Sequence, residues 1–323
     1  MMVAVTGGSG VVGRAVVRHL VAAGHEVLAL ARTAEASSIL DGLGAGVVSG
    51  DVLDETAVER LAKGSNWLFH IAGVNEMCSR DPSRMWRVNV EGTMNVIAAS
   101  ARGGVDRLIH TSSAVTIGEE HGTIGTEGSR HRGFFLSEYE RSKTVAERLA
   151  FDTLQDIEVV SVNPASVQGP GRSSGTGALL LAAARGNVPF LVDTVISVVD
   201  IDDCARGHLL AAETGQPGQR YLLSGAVLTV REAVAMMNHY LARTTRPWFI
   251  RPEVVTALAP AVDAAFRIIG RQSPLCAESA RVLLRGHRYD GARATRDLGL
   301  DYTPVGDTMQ KALEWFASEG LIE

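Results

Sequence analysis

The chain has 323 residues, 46% of them hydrophobic, enough apolar surface for one large or two modest folded domains and too much for a disordered chain. Its net charge is −5 and its Lys and Arg residues are scattered, so neither a nucleic acid nor an anionic membrane is expected as a partner. The cysteines Cys78, Cys204 and Cys276 lie far apart without CxxC spacing, so neither a disulfide framework nor a metal site is expected, and a reducing cytoplasm is the expected location.

Short apolar runs alternate with helical patterns along the chain, and with no basic leader or small-residue cleavage site visible before the first run, no export signal is expected. The runs at 3–6, 25–31, 45–50, 67–72, 105–111 and 157–163 are rich in Val, Ile and Leu, which suits strands buried on both faces. Several of the helical patterns between them end at Gly. This cadence predicts βαβ units, and therefore an α/β domain with a doubly wound parallel sheet over residues 1–168. GPGRSSGTG at 169–177 reads as a loop, and 169–323 as a smaller, mostly helical lobe with short strands at 194–199 and 219–225. Residues 198–214 are expected to pack back on the first domain. The apolar stretch 254–270 carries Pro260, Asp263 and Arg267, so it predicts an amphipathic helix and no membrane span, with a lipid-facing role as an alternative.

The first run leads directly into TGGSGVVGRAVV, where Gly7, Gly10 and Gly13 are spaced GxxGxxG at a strand-to-helix turn. Such a turn lets the backbone approach a pyrophosphate while the helix N-terminus points free N–H groups at its charge. Arg32 follows the second run, where an acidic residue would suit the ribose of NAD and an arginine suits a 2′-phosphate. NADP(H) is therefore the expected cofactor, with NAD(H) as the alternative and a plain surface arginine as the other reading. Asp51 ends the third run, placed for the adenine amino group or for a helix cap. In SEYERSK, Tyr139 and Lys143 share one helix face one turn apart, while Glu140, Arg141 and Arg148 read as its solvated face and Glu147 as a possible partner of Lys143.

With the glycine turn, Asp51, HTSSAVTIG (110–118) and YERSK (139–143) in this order, the chain resembles the extended short-chain dehydrogenase/reductases of the NAD-dependent epimerase/dehydratase superfamily. NVEGT (89–93), NPASVQGPG (163–171) and VVDIDDCARGHLLA (198–211) resemble further recurring segments, and the likeness is greatest to dihydroflavonol-reductase-like and hopanoid-associated sugar epimerase-like proteins. The resemblance implies a Rossmann-type cofactor domain. It makes Tyr139 the proton donor, Lys143 the ligand of the nicotinamide ribose, and Ser113 the hydrogen-bond partner of the substrate oxygen, with Ser112 as fallback. Asn89 falls in the segment of the family's helix asparagine, where a proton relay and a packing role are both open. Ser9, Val11, Val12, Val52, Ile71, Ala72, Gly73, Pro164, Ser166 and Val167 are the further cofactor contacts implied.

Physical chemistry agrees with these roles, because carbonyl reduction needs a proton donor and a group to hold the developing alkoxide. Met77, Trp86, Thr116, Phe134, Phe135, Gln168 and Phe190 are the candidate substrate pocket, though such residues also serve as ordinary core. The family's nucleotide-sugar arginine is missing from DTVISVVDIDD, with Arg172 and Arg185 as possible substitutes. The expected activity is NADP-dependent reduction of a hydrophobic ketone or aldehyde. Sugar epimerisation or dehydration is the alternative, and hydroxysteroid-type alcohol oxidation the second alternative. A homodimer through the helices at 81–101 and 138–155, bearing Met94, Ile97, Ala98 and Ala146, is implied as well.

Overall fold

The computed structural model describes residues 1–153, 157–271, 273 and 276–322. Among the described residues there are twelve strands: β1 (Met2–Thr6), β2 (Glu26–Ala31), β3 (Gly46–Ser49), β4 (Trp67–His70), β5 (Arg107–Thr111), β6 (Glu158–Pro164), β7 (Ser166–Gln168), β8 (Phe190–Val192), β9 (Val195–Asp200), β10 (Arg220–Leu223), β11 (Ala226–Thr229) and β12 (Trp248–Ile250). The helices of the first half are α1 (Val11–Ala22), α2 (Ala34–Gly42), α3 (Glu55–Ala62), α4 (Ser83–Trp86), α5 (Gly92–Gly103) and α6 (Glu138–Asp152), with a π-helical stretch Arg87–Glu91 joining α4 to α5. Those of the second half are α7 (Thr176–Ala184), α8 (Ile201–Thr214), α9 (Val230–Tyr240), α10 (Pro252–Ile268), α11 (Ala277–Arg285), α12 (Ala292–Leu298) and α13 (Val305–Ser318).

Seven strands form one parallel sheet in the order β10-β6-β5-β4-β1-β2-β3. Parallel neighbours need crossover connections, and the helices that supply them cover both faces. One face buries Val16, Leu20 and Tyr221 in a core shared with α1, α8 and α12. The other buries Leu61, Leu68, Val96 and Leu108 under α3, α5 and α6. The strand order reverses between β1 and β4, and the crevice beyond the carboxyl ends of these two strands is where such sheets bind ligands.

α8 packs along α1, so residues 201–214 lie on the cofactor half of the sheet. The strand foreseen at 219–225 is not part of a separate lobe: as β10 it pairs with β6 and completes the main sheet. The remaining elements form two small sheets, β11-β9-β7 and β12-β8, and a third core around Met237, Leu313 and Phe316.

Two expectations are corrected. Cys78 and Cys276, 198 residues apart, form a disulfide that ties the loop after β4 to the start of α11; sequence spacing carries no trace of a contact between such distant segments. Glu140 is not part of a solvated face. It is buried, and its carboxylate accepts from the Leu136 N–H and from Arg132, whose side chain is buried beside it. Burial raises its pKa.

Candidate active site

The glycine turn after β1 is built by close approach. Gly7 has φ of +72°, and a Cβ on it would sit 2.5 Å from the Ala72 nitrogen at the end of β4. A Cβ on Gly13 would lie 2.1 Å from the Gly7 carbonyl oxygen. These two glycines hold the turn against β4 and α1 against the turn. Gly10 does a different job. As N-cap of α1 it offers no side chain, and a Cβ there would meet only the Gly7 oxygen, at 3.3 Å. The first N–H groups of α1 therefore face the crevice beside Ser9, Val11 and Val12, and their dipole suits an anion. This arrangement fits the pyrophosphate of a dinucleotide.

At the far end of the crevice, Arg32 and Asp51 leave the ends of β2 and β3. The Arg32 guanidinium lies 3.5 Å from an Asp51 carboxylate oxygen, while the other oxygen accepts from the Leu53 N–H. Asp54 caps α3, which leaves Asp51 without that duty. Val52 is buried against Gly92. Along the middle, Ile71, Ala72 and Gly73 follow β4.

Lys143 is 4% exposed, and its Nζ donates to the Thr111 carbonyl over 2.7 Å. A Cβ on Gly73 would be 3.8 Å from that Nζ, so the ammonium stands between the ends of β4 and β5. Burial lowers its pKa to about 8, against the pull of Glu147. Its charge also helps hold the buried His70 at about 3 and His110 well below its ordinary value, burial being the larger cause for both. Neither ring competes for a proton at neutral pH.

Tyr139 is half-buried one turn earlier on α6, which Ser137 caps by accepting from the Glu140 N–H. Burial raises the Tyr139 pKa; the Ser113 hydroxyl and the Arg172 guanidinium act in the opposite direction. The hydroxyl facing Tyr139 thus belongs to Ser113. That of Ser112 is buried and unpartnered. Arg172, in the loop after β7, has a buried Nε without a partner, and burial lowers its pKa.

Beneath Ser113 lies a polar network that sequence reasoning did not assign. Asn163 Nδ2 donates to the Ser113 carbonyl, to Thr116 Oγ1 and, over 2.6 Å, to Glu147 Oε1. Ser161 donates to the same carboxylate oxygen, and Arg220 of β10 lies 3.4 Å from the other. The signal available was a polar residue inside an apolar strand, Asn163 directly before Pro164. Thr116 belongs to this support and is buried.

Asn89 holds the loop after β4: its Oδ1 accepts from the Val74 N–H and its Nδ2 donates to the Val74 carbonyl and to Ser142. Trp86 donates to Glu138 just before Tyr139. Gln168 donates to Ser166 and Thr176, and the Val167 side chain is buried. Phe135 packs on His131, and Phe134 is an exposed ring flanked by Arg132 and Arg285. Phe190 lies on β8, exposed in the small outer sheet. A cleft of about 590 Å³ opens instead between Cys78, Ser79, Arg80, Asp263, Cys276 and Glu278. Glu278 bridges it to the site, accepting from the N–H groups of Cys78 and Glu138.

A family model described as the NAD dependent epimerase/dehydratase family matches residues 3–224. The chain belongs to that family. It is an NAD(P)-dependent enzyme of the short-chain dehydrogenase/reductase type. Among its relatives is the Sterol demethylase protein B of Methylococcus capsulatus, 30% identical with 100% of both chains covered. A putative dihydroflavonol 4-reductase of Synechocystis sp. is 28% identical over 99% of this chain and 95% of that protein. The solved structure of gox2253 superimposes with a TM-score of 0.87 at 28% identity, covering 100% of this chain and 99% of that one. In this epimerase/dehydratase frame the glycine turn, Lys143, Tyr139 and Ser113 line one edge of one sheet.

Proposed function

We propose that the chain is an NADP(H)-dependent reductase of an apolar ketone or aldehyde, with Tyr139 as proton donor. The observation that carries the reading is the placement of the buried Lys143, whose Nζ donates to the Thr111 carbonyl over 2.7 Å, one turn after Tyr139 on α6, with the Ser113 hydroxyl beside Tyr139. Ser113 donates to the substrate carbonyl oxygen and fixes its position. Tyr139 donates to the same oxygen as negative charge develops there, and the positive charge of Arg172 stabilises the resulting phenolate. A pKa raised by burial keeps Tyr139 protonated at neutral pH, which favours the reductive direction. Lys143, held by Thr111, is placed to bind the nicotinamide ribose. When bound, the reduced nicotinamide supplies the hydride.

The cofactor preference rests on Arg32, whose exposed guanidinium is free to leave Asp51 for a 2′-phosphate. Arg32→Ala is expected to weaken NADPH about tenfold while leaving NADH binding unchanged. The stretch DTVISVVDIDD (193–203) supplies no cation for a sugar diphosphate. Its Ser197 is buried, donating to the His287 carbonyl and accepting from the Tyr289 N–H. Consumption of NADPH in proportion to product, across a panel of ketones, aldehydes and nucleotide sugars, tests the reading; turnover without net consumption would identify an epimerase instead.

Dimerisation through α5 and α6 is part of the proposal. Met94 is exposed there, whereas Ile97 and Ala146 are taken up by the monomer core. So is a cytoplasmic location, against which the Cys78–Cys276 disulfide stands; alkylation in intact cells tests it, free thiols at this pair supporting the location and an intact disulfide removing it.

A further inference from the structure

α10 is apolar on two sides. Its inner side buries Val255 and Ala259 against Ala280 of α11, over Val192 and Ile250 of the small outer sheet. Its outer side carries Val254 (47% exposed), Leu258 (53%) and Ile268 (86%), with Ala261 and Ala265 exposed between them. Steps of four, three, four and three residues put these five on one stripe along the full length of the helix, about 25 Å. Ile269, 60% exposed, extends it.

Just before α10, Trp248, 77% exposed, stands on β12 beside Phe190, its register partner on β8, which is exposed as well. Ordinary surfaces scatter such residues singly.

The charge around this face is opposite to that of the chain. Between positions 243 and 271 there are five arginines against Glu253 and Asp263, a surplus of three positive charges in a chain whose net charge is −5. Arg246, Arg251 and Arg271 are exposed at its two ends. An apolar stripe of Leu and Ile, with a Trp just before it, between arginines matches the boundary of an anionic bilayer, where the stripe enters the acyl edge and the guanidinium groups meet phosphates. No helix among the described residues is long and apolar enough to cross a membrane.

We propose that the α10 face docks this protein on an anionic lipid surface. Asp263 of α10 lines the 590 Å³ cleft, and Glu278 on the other wall reaches the backbone one residue before Tyr139. Asp263 is nine residues after Val254 and so on the side of α10 opposite the stripe, which leaves the cleft behind the docked face. The docking does not rest on the reductase reading.

The test is co-sedimentation of the full chain with phosphatidylcholine vesicles, with and without phosphatidylglycerol. Wild type is expected to bind the vesicles containing phosphatidylglycerol and to be released by salt. Brominated lipid is expected to quench its fluorescence, and Trp248→Phe to lose that quenching. Leu258→Glu, and separately Arg246→Glu with Arg251→Glu, are expected to weaken binding at least about tenfold. NADPH affinity and circular dichroism are expected to stay at wild-type values in each. Wild type that ignores both vesicles, or Leu258→Glu that binds as well as wild type, overturns the proposal. So does an oligomer seen without vesicles by sedimentation velocity and lost in Leu258→Glu, which would make this face a subunit contact. NADPH turnover enters none of these readouts, so failure of the docking and failure of the reductase reading are separately visible.

Discussion

The glycine turn and the α10–α11 hairpin approach the candidate site from different directions and are held in different ways. The turn is held by backbone against backbone: Gly7 against Ala72, and Gly13 against Gly7. The hairpin is held by side chains: Val255, Ala259 and Ala280 pack over Val192 and Ile250, and the Cys78–Cys276 bond, the two hydrogen bonds to Glu278 and one from Arg80 to the Arg271 carbonyl tie it to the first half of the chain. One side can adopt a single shape. The other can change its side chains and its substrate while the sheet stays as it is, which is how one fold serves many substrates.

That contrast can be broken by separating binding from chemistry. The largest effect is expected for Tyr139→Phe: kcat should fall about a thousandfold with the NADPH dissociation constant within about twofold of wild type. Retention of full turnover would remove Tyr139 from the mechanism. Next comes Gly13→Ala, on the rigid side. Its methyl cannot fit against the Gly7 carbonyl, so isothermal titration is expected to show NADPH bound about a hundredfold more weakly.

A third effect is in stability. The pKa of Lys143 is lowered from 10.5 in an unfolded chain to about 8, so the unfolded state binds more protons between those values and stability rises with pH across that window. Below pH 8 the buried charge opposes folding in full. Lys143→Met is expected to be more stable than wild type there, by about 2 kcal/mol or less, with a gain that shrinks as pH rises toward 10.5. Urea titrations of both proteins at several pH values measure it; a gain that stays constant with pH would mean that the lysine is not carrying a buried charge. The smallest effect belongs to the pliant side. Cys276→Ser is expected to raise KM about threefold and leave NADPH affinity alone.

The sheet and the glycine turn were legible because their causes are local. Apolar runs at 3–6 and 105–111 have few other uses, and GxxGxxG directly after a strand is a backbone requirement written in glycine. Tyr139 and Lys143 were legible by helical spacing. The ion pair of Glu140 with Arg132 was not, since i,i+4 charges look alike whether a helix face meets water or a folded loop. Nor was the Glu147–Asn163–Thr116 support beneath Ser113, which depends on three elements meeting. Phe190 shows the same limit: an aromatic residue in sequence says nothing about which of two sheets its strand will join.

β10 has a consequence for how this protein is made. The sheet's outer strand on the β6 side comes from residues 220–223, after the whole excursion through α7 and α8. Until those residues emerge during synthesis, β6 presents a bare edge to whatever else is extended nearby. At about 5–20 residues per second, roughly the sixty residues between β6 and β10 leave that edge uncovered for several seconds. A nascent chain halted in that interval should be a preferred client of chaperones, although it already carries the whole glycine turn and both Tyr139 and Lys143.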